Sequence, residues 1–284
     1  DAADCAAVLD VLMGHDRRDA TSLPGLDSDW NGSGPRADYG HLLKRLTGDV
    51  RGMRIGLPAQ CFGDGLDGAV RAAVLGAAQV LKGRGAEIVE LSFPVLEYAV
   101  PAYYIIAAAE ASSNLSRFDG VKYGWRAEEY DGLADLYRKT RTQGFGREVK
   151  RRILLGTFVL SSGYYDAYYK KALQAKAVIK DAFDRAFEGC DLLLTPVTPS
   201  PAPRLGDSLG DPLSMYLGDI YTVSVNLAGL PALSMPCGLD AEGMPIGAQL
   251  IAPHFGEGAA LSAAHAFQLD TDWHRRVPKG GEAP

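Results

Sequence analysis

The sequence has few cysteines, and they do not form a metal-binding pattern. Four of the 284 residues are cysteine: Cys5, Cys61, Cys190 and Cys237. No two of them have the C-x-x-C spacing that is typical of zinc sites. Widely separated thiols are typical of small core residues in a reducing compartment, so we expect buried thiols and a cytoplasmic protein.

The histidines also lack metal-ligand spacing. No H-x-x-x-H pair occurs among the five: His15, His41, His254, His265 and His274. For each of them, a surface position or a satisfied core position is favoured over metal ligation. We therefore predict no metal site and no cofactor bound by this chain.

Long hydrophobic runs are missing as well. The most apolar segment, 100–109 ("VPAYYIIAAA"), is followed by Glu110 and falls well short of the roughly 20 residues that span a bilayer. The chain opens on "DAADCAAVLDVLMG", without the basic leader of a secretory signal. We expect no membrane segment and no membrane partner.

Positive charge is not in excess. The chain has 29 Lys and Arg against 35 Asp and Glu, a formal net charge of -6. Nucleic acid binding by counterion release needs a basic surface, which this balance does not supply. Any contact with nucleic acid is therefore expected to be local or to be made by a partner.

What the sequence does contain is the pattern of an α/β protein. Residues 53–57, 67–82 and 86–91 read as strand, helix and strand, which predicts a βαβ unit with parallel strands. Residues near 192–195, 232–236 and 246–251 are further strand candidates, and a helix is predicted near 257–269. We predict a single three-layer domain over 1–284 with a helical excursion at about 101–189.

The first residue is Asp1 rather than methionine. Asp1 is a suitable cap for a helix with an apolar side formed by Cys5, Val8, Leu9, Leu12 and Met13. The sequence thus begins inside a structural element, and we expect it to be a piece of a longer protein.

One short motif suggests an esterase. Residues 206–210, "GDSLG", match the G-x-S-x-G nucleophile elbow with Ser208 as the nucleophile. An elbow needs a strand before the serine and a helix after it, whereas "TPSPAPRL" precedes this one. We predict an exposed loop and no catalytic role for Ser208.

A basic run, "GREVKRRILLG", occupies residues 146–156. On a helix, Arg147, Lys150 and Arg151 share one face, and Arg152 is rotated by 100° toward the apolar side. An inward arginine needs a carboxylate partner, either in a structural salt bridge or on a ligand, and the sequence leaves both open.

Two other segments contain candidate site residues. Asp219 precedes a run punctuated by Gly and Pro that enters a strand, where either a site or a plain connecting loop is expected. Tyrosines occur in pairs on predicted helices, and Tyr103 belongs to one pair. Packing is the default role for these rings, and lining a pocket is the alternative.

Several long runs resemble one family. They include "LTGDVRGMRIGLP", "PAYYIIAAAEASSNLSRFDGVKYG", "GFGREVKRRILLGTFVLSSGYYDAYY", "DLLLTPVTP", "DPLSMYLGDIYTVSVNLAGLPALSMPCG" and "TDWHRR". In this order they resemble the C-terminal part of the A subunits of glutamyl-tRNA(Gln) amidotransferases, which belong to the amidase signature family. The resemblance implies a mixed β-sheet covered by helices on both faces.

The resemblance also implies a function. Such proteins hydrolyse glutamine to ammonia and work in a complex with the B and C subunits of the amidotransferase. The partner subunit binds Glu-tRNA(Gln), uses ATP and Mg²⁺, and converts the misacylated tRNA to Gln-tRNA(Gln). Catalysis in the family needs a lysine and two serines; none of the three is found in this chain, so we expect this chain by itself to be inactive.

For substrate recognition, the resemblance implies roles for three residues. Arg152 is expected to bind the α-carboxylate of glutamine, Asp219 its α-amino group, and Tyr103 to line the same pocket. Two alternatives stay open: a stand-alone amidase for small amides, and a glutamine-binding fragment without catalysis.

Overall fold

The computed structural model describes residues 1–22, 41–203, 205 and 217–277. The chain divides into two compact units, one formed by Asp1–Leu96 with Lys180–Pro284 and the other by Glu97–Ile179. The second unit contains most of the segment that the sequence predicts as a helical excursion.

A five-stranded mixed sheet forms the first unit. Its strands are β1 Arg54–Pro58, β2 Glu87–Leu91, β3 Leu192–Pro196, β4 Ala232–Leu239 and β5 Pro245–Ile251, in the order β2-β1-β3-β5-β4. Strand β1 runs parallel to β2 and β3, and β5 runs antiparallel to β3 and β4.

Nine α-helices are present in the described residues. They are α1 Ala2–Leu12, α2 Leu42–Arg45, α3 Gly68–Gly83, α4 Ala99–Leu115, α5 Gly132–Gly144, α6 Arg147–Val159, α7 Lys171–Gly189, α8 Val223–Ala228 and α9 Glu257–Asp270. Short 3₁₀ turns cover Ala59–Phe62, Pro94–Tyr98 and Trp273–Arg275, and a π-helical segment, Tyr165–Lys170, precedes α7. No helix in these ranges is long and apolar enough to cross a membrane.

The predicted βαβ unit is confirmed. Asp67 caps α3 because its carboxylate accepts the backbone N–H groups of Ala69 at 2.7 Å and Val70 at 3.3 Å. The main core lies between one face of the sheet and the helices α3 and α9, and includes Ile55, Leu192, Leu194, Leu250, Val74 and Phe267. A mixed sheet covered by helices is the α/β architecture that the sequence predicts.

Helix α1 begins where the sequence predicts. Asp1 and Asp4 form a capping box, in which the Asp4 backbone N–H donates to Asp1 at 2.9 Å. The predicted apolar side is only partly right, because Cys5, Val8 and Leu12 are exposed and the buried residues are the two alanines Ala2 and Ala6. Ala6 packs against Leu42 of α2 and Leu261 of α9, and Leu9 and Met13 pack against the same cluster.

The second unit is built on a close crossing of α4 and α6. A Cβ atom added to Gly156 would overlap the carbonyl group of Ala108 and lie 2.7 Å from Ser112 Cβ. Near the same point, the hydroxyl groups of Ser112 and Thr157 are hydrogen-bonded at 3.0 Å. Glycine at 156 therefore allows a backbone contact that any other residue would prevent.

Candidate functional site

Helix α6 carries the predicted carboxylate-binding arginine. The helix starts after Gly146, whose backbone is extended, and its first turn contains Glu148. Glu148 forms ion pairs with two arginines: Oε2 lies 3.2 Å from Nη1 of Arg151, and Oε1 lies 3.4 Å from Nε of Arg152. Both are intrahelical pairs at i,i+3 and i,i+4 spacing.

Arg151 and Arg152 have similar solvent exposure but differ in the environment of one nitrogen atom. Their side chains are exposed to 41% for Arg151 and 38% for Arg152, so the expected contrast between a solvated and an inward arginine is small. The difference lies at one atom: Nε of Arg152 is shielded from solvent and makes no hydrogen bond with the described residues. Within the described residues, this N–H is therefore held only by the 3.4 Å ion pair to Glu148.

Tyr103 lies on α4, the helix that crosses α6. Its ring is half-buried and meets the ring of Tyr104 edge to face, with centroids 5.0 Å apart. Gly156 brings the backbones of α4 and α6 into contact. Tyr103 and Arg152 therefore lie on two helices that pack directly against each other.

Asp219 lies in the turn that leads into α8. Its side chain is exposed, and its backbone carbonyl accepts the N–H groups of Thr222 at 3.0 Å and Val223 at 3.1 Å. The hydroxyl group of Thr222 also donates to this carbonyl, at 3.2 Å. The turn is therefore closed by three hydrogen bonds that end on one residue.

The three residues expected to recognise glutamine belong to different units. Arg152 and Tyr103 belong to Glu97–Ile179, and Asp219 belongs to the sheet-containing unit. A joint role of these residues in holding one amino acid therefore stays a prediction. Ser208, the residue of the esterase-like motif, lies outside the described residues.

The buried thiols of the first unit are unsuited to nucleophilic attack. Burial raises the pKa of Cys61 to about 12, of Cys237 to about 12 and of Cys190 to about 11. Since the thiolate is the reactive form, these three side chains stay protonated and inert at neutral pH. Among the described residues, no group of three or more His, Cys, Asp or Glu side chains is placed to hold a metal ion.

Two features of the site were missed by reasoning from the sequence. One is Glu148, which the i,i+4 spacing to Arg152 would have indicated. The other is a buried glutamine, Gln249, in the otherwise apolar strand "PIGAQLI", where a polar side chain signals a specific hydrogen-bond partner.

The family model, the similar sequences and the similar solved structures all include amidases or amidotransferase subunits. The family model described as Amidase matches residues 1–261. The A subunit of glutamyl-tRNA(Gln) amidotransferase from Lachnospira eligens is 56% identical over 268 residues, covering 94% of this chain and 53% of that protein. The chain spans about half the length of the curated relatives it matches.

Solved structures show the same fold. The A subunit of glutamyl-tRNA(Gln) amidotransferase from Thermotoga maritima has a TM-score of 0.70 and 31% identity, covering 95% of this chain and 51% of that one. A bacterial aryl acylamidase of the amidase signature enzymes has a TM-score of 0.72 over 96% of this chain and 52% of its own, but only 21% identity. The second likeness concerns the fold alone.

Proposed function

Because this chain belongs to the amidase family, we propose that it supplies the glutamine-binding part of the glutaminase component in a tRNA-dependent amidotransferase. The observation that carries the proposal is the 56% identity, over 94% of this chain, to a protein named as the A subunit of glutamyl-tRNA(Gln) amidotransferase. A stand-alone amidase for small amides has weaker support, because the acylamidase likeness is at 21% identity.

The chemistry of the substrate fits the candidate residues. Free glutamine presents one carboxylate and one ammonium group at a fixed separation. The planar fork of Arg152 suits the carboxylate, the carboxylate of Asp219 suits the ammonium group, and the ring of Tyr103 is proposed to contact the same substrate. Two opposite charges select an amino acid against a simple amide, which lacks both groups.

In the proposed complex, the released ammonia passes to the partner proteins. The B subunit of the amidotransferase binds Glu-tRNA(Gln), uses ATP and Mg²⁺, and forms Gln-tRNA(Gln), while the small C subunit completes a heterotrimer in the cytoplasm. No residue of this chain matches the catalytic lysine and serines of the family. We therefore assign the hydrolysis step to no residue of this chain. What this chain contributes is recognition of the substrate, and by itself it is proposed to be inactive.

The test is glutamine binding by the 284-residue chain, measured by calorimetry. Arg152→Ala should weaken binding about 30-fold or more, because removing one partner of a charge pair costs about 2 to 5 kcal/mol. The effect should be confined to ligands with an α-carboxylate, so the affinity for 4-aminobutanamide, which lacks that group, should not change.

Arg151→Ala is the matched control. Arg151 shares the Glu148 partner and has nearly the same exposure, so this variant changes the helix charge equally but should leave glutamine binding intact. Equal effects of the two substitutions, or no glutamine binding by the unmodified chain, would overturn the proposal.

A further inference from the structure

Strands β3 and β5 place two buried polar side chains next to each other. In the antiparallel register, Thr195 lies opposite Gln249, so both side chains project from the same face of the sheet. Thr195 is exposed to only 2% and Gln249 to 4%. Polar groups buried this deeply stay in a folded protein only when they are hydrogen-bonded.

The amide group of Gln249 has two partners. Its Nε2 donates to the hydroxyl oxygen of Thr195 at 3.0 Å and to the backbone carbonyl of Tyr221 at 3.2 Å. A backbone carbonyl can only accept, so the contact with Tyr221 fixes which way the amide points. Gln249 thus ties a segment 28 residues away in the sequence to the centre of the sheet.

The segment held in this way is the turn of Asp219. Tyr221 lies two residues after Asp219, and the next two backbone N–H groups, of Thr222 and Val223, donate to the Asp219 carbonyl at 3.0 and 3.1 Å. The Tyr221 carbonyl lies inside this hydrogen-bonded turn. A shift of that carbonyl therefore moves the backbone that carries the Asp219 side chain.

We infer that Gln249 is a positioning residue for Asp219, and that its amide N–H sets how well the chain recognises the α-ammonium group of the substrate. The inference rests on the proposed function for the role of Asp219. Gln249 itself stays buried in the sheet and acts through the Tyr221 carbonyl.

The test compares Gln249→Met with Thr195→Val. Methionine keeps the length of the side chain but removes both donated hydrogen bonds, whereas valine at 195 removes one partner and leaves the bond to Tyr221. Binding of glutamine is compared with binding of 5-amino-5-oxopentanoate, which has the same carboxylate and amide but no α-amino group.

Gln249→Met should weaken glutamine binding about tenfold, the equivalent of one hydrogen bond, and leave binding of the deamino analogue within about twofold. Thr195→Val should keep the preference for glutamine. In an Asp219→Ala background, Gln249→Met should have no further effect, because a residue that acts only through Asp219 has nothing left to position.

A second measurement does not depend on glutamine. In Gln249→Met, the backbone N–H groups of Thr222 and Val223 should exchange with deuterium faster than in Thr195→Val, at equal global stability. If Gln249→Met fails to fold, Gln249→Asn serves the same purpose, because it is one methylene shorter and cannot reach the Tyr221 carbonyl.

The outcomes distinguish the positioning role of Gln249 from the proposed function. If Asp219→Ala abolishes the preference for glutamine and Gln249→Met leaves it unchanged, the positioning role is wrong and the proposed function stands. If Asp219→Ala changes nothing, or the unmodified chain does not prefer glutamine, both are wrong. Equal losses in Gln249→Met and Thr195→Val would show a general effect on folding and also overturn the positioning role.

Discussion

In the first unit the large aliphatic side chains of β1, β3 and β5 are buried, whereas in the second unit α4 and α6 bury mainly small residues. Leu194 on β3 is fully buried, while Leu154 on α6 is exposed to 72%. Leu194 is thus a core residue of the first unit, and Leu154 a surface residue of the second. The first unit should be sensitive to loss of side-chain volume, and the second to its gain.

The largest expected effect is the loss of a buried leucine from the sheet. Leu194→Ala should destabilise the first unit by about 2 to 5 kcal/mol, because it leaves a cavity at the centre of the main core. Leu154→Ala is the control and should change stability by less than about 0.5 kcal/mol. Urea denaturation measures both, and equal costs would remove the distinction between the units.

The second prediction adds a single methyl group. Gly156→Ala should destabilise the second unit by about 1 to 3 kcal/mol, since the added Cβ overlaps the Ala108 carbonyl and overpacking costs that much. Gly76→Ala in α3 is the control, because nothing lies within 4 Å of its added Cβ. There the change should stabilise by about 0.5 to 1 kcal/mol, as alanine is the better helix former.

Amide hydrogen exchange, followed separately in the two units, measures the effects of Gly156→Ala and Gly76→Ala. Slower exchange in α3 of Gly76→Ala and faster exchange in α4 and α6 of Gly156→Ala are the expected results. A stabilising Gly156→Ala would show that the α4–α6 contact is loose, and the comparison between the units would fail.

The smallest expected effect concerns a half-buried carboxylate of the second unit, that of Asp135. The backbone N–H of Asp131 donates to Asp135 at 3.0 Å and the guanidinium of Arg138 pairs with it, which together lower the pKa of Asp135 from 3.8 to about 2. The folded state favours the ionised form. Its stabilising effect is therefore fully present above pH 3.8 and is lost as the pH falls through about 2.

Asp135→Asn should accordingly lower the stability of the second unit slightly at pH 7 and flatten its loss between pH 4 and pH 2. The pH dependence of amide exchange in α5 measures this change. The same decline in acid for variant and parent would show that Asp135 does not contribute.

The regular part of the first unit could be predicted from the sequence. The first strand is predicted at 53–57 and found at Arg54–Pro58, and the following helix is predicted at 67–82 and found at Gly68–Gly83. Apolar periodicity, the capping residue Asp67, and Gly83 and Gly85 at the end of the helix define this region locally. Such signals need no knowledge of the rest of the chain.

Other features depend on contacts that no local pattern contains. Helical phase gives the direction of a side chain but not how much of it neighbouring elements cover, so it did not show that Arg151 and Arg152 would be similarly exposed. The polar character of Gln249 is visible in its strand, but its partners are set by strand register and by a turn 28 residues away. The site residues came from family resemblance rather than from periodicity.

The pairing of β1 with β3 has a consequence for synthesis on the ribosome. The backbone N–H of Arg54 donates to Asp191 Oδ2 at 2.8 Å, and its guanidinium donates to Oδ1 at 3.1 Å, across 137 residues of sequence. At about 5 to 20 residues per second, Asp191 is made roughly 7 to 27 s after Arg54. Within that interval β2 is made first and can pair with β1, whereas the other edge of β1 stays unpaired until β3 has been made.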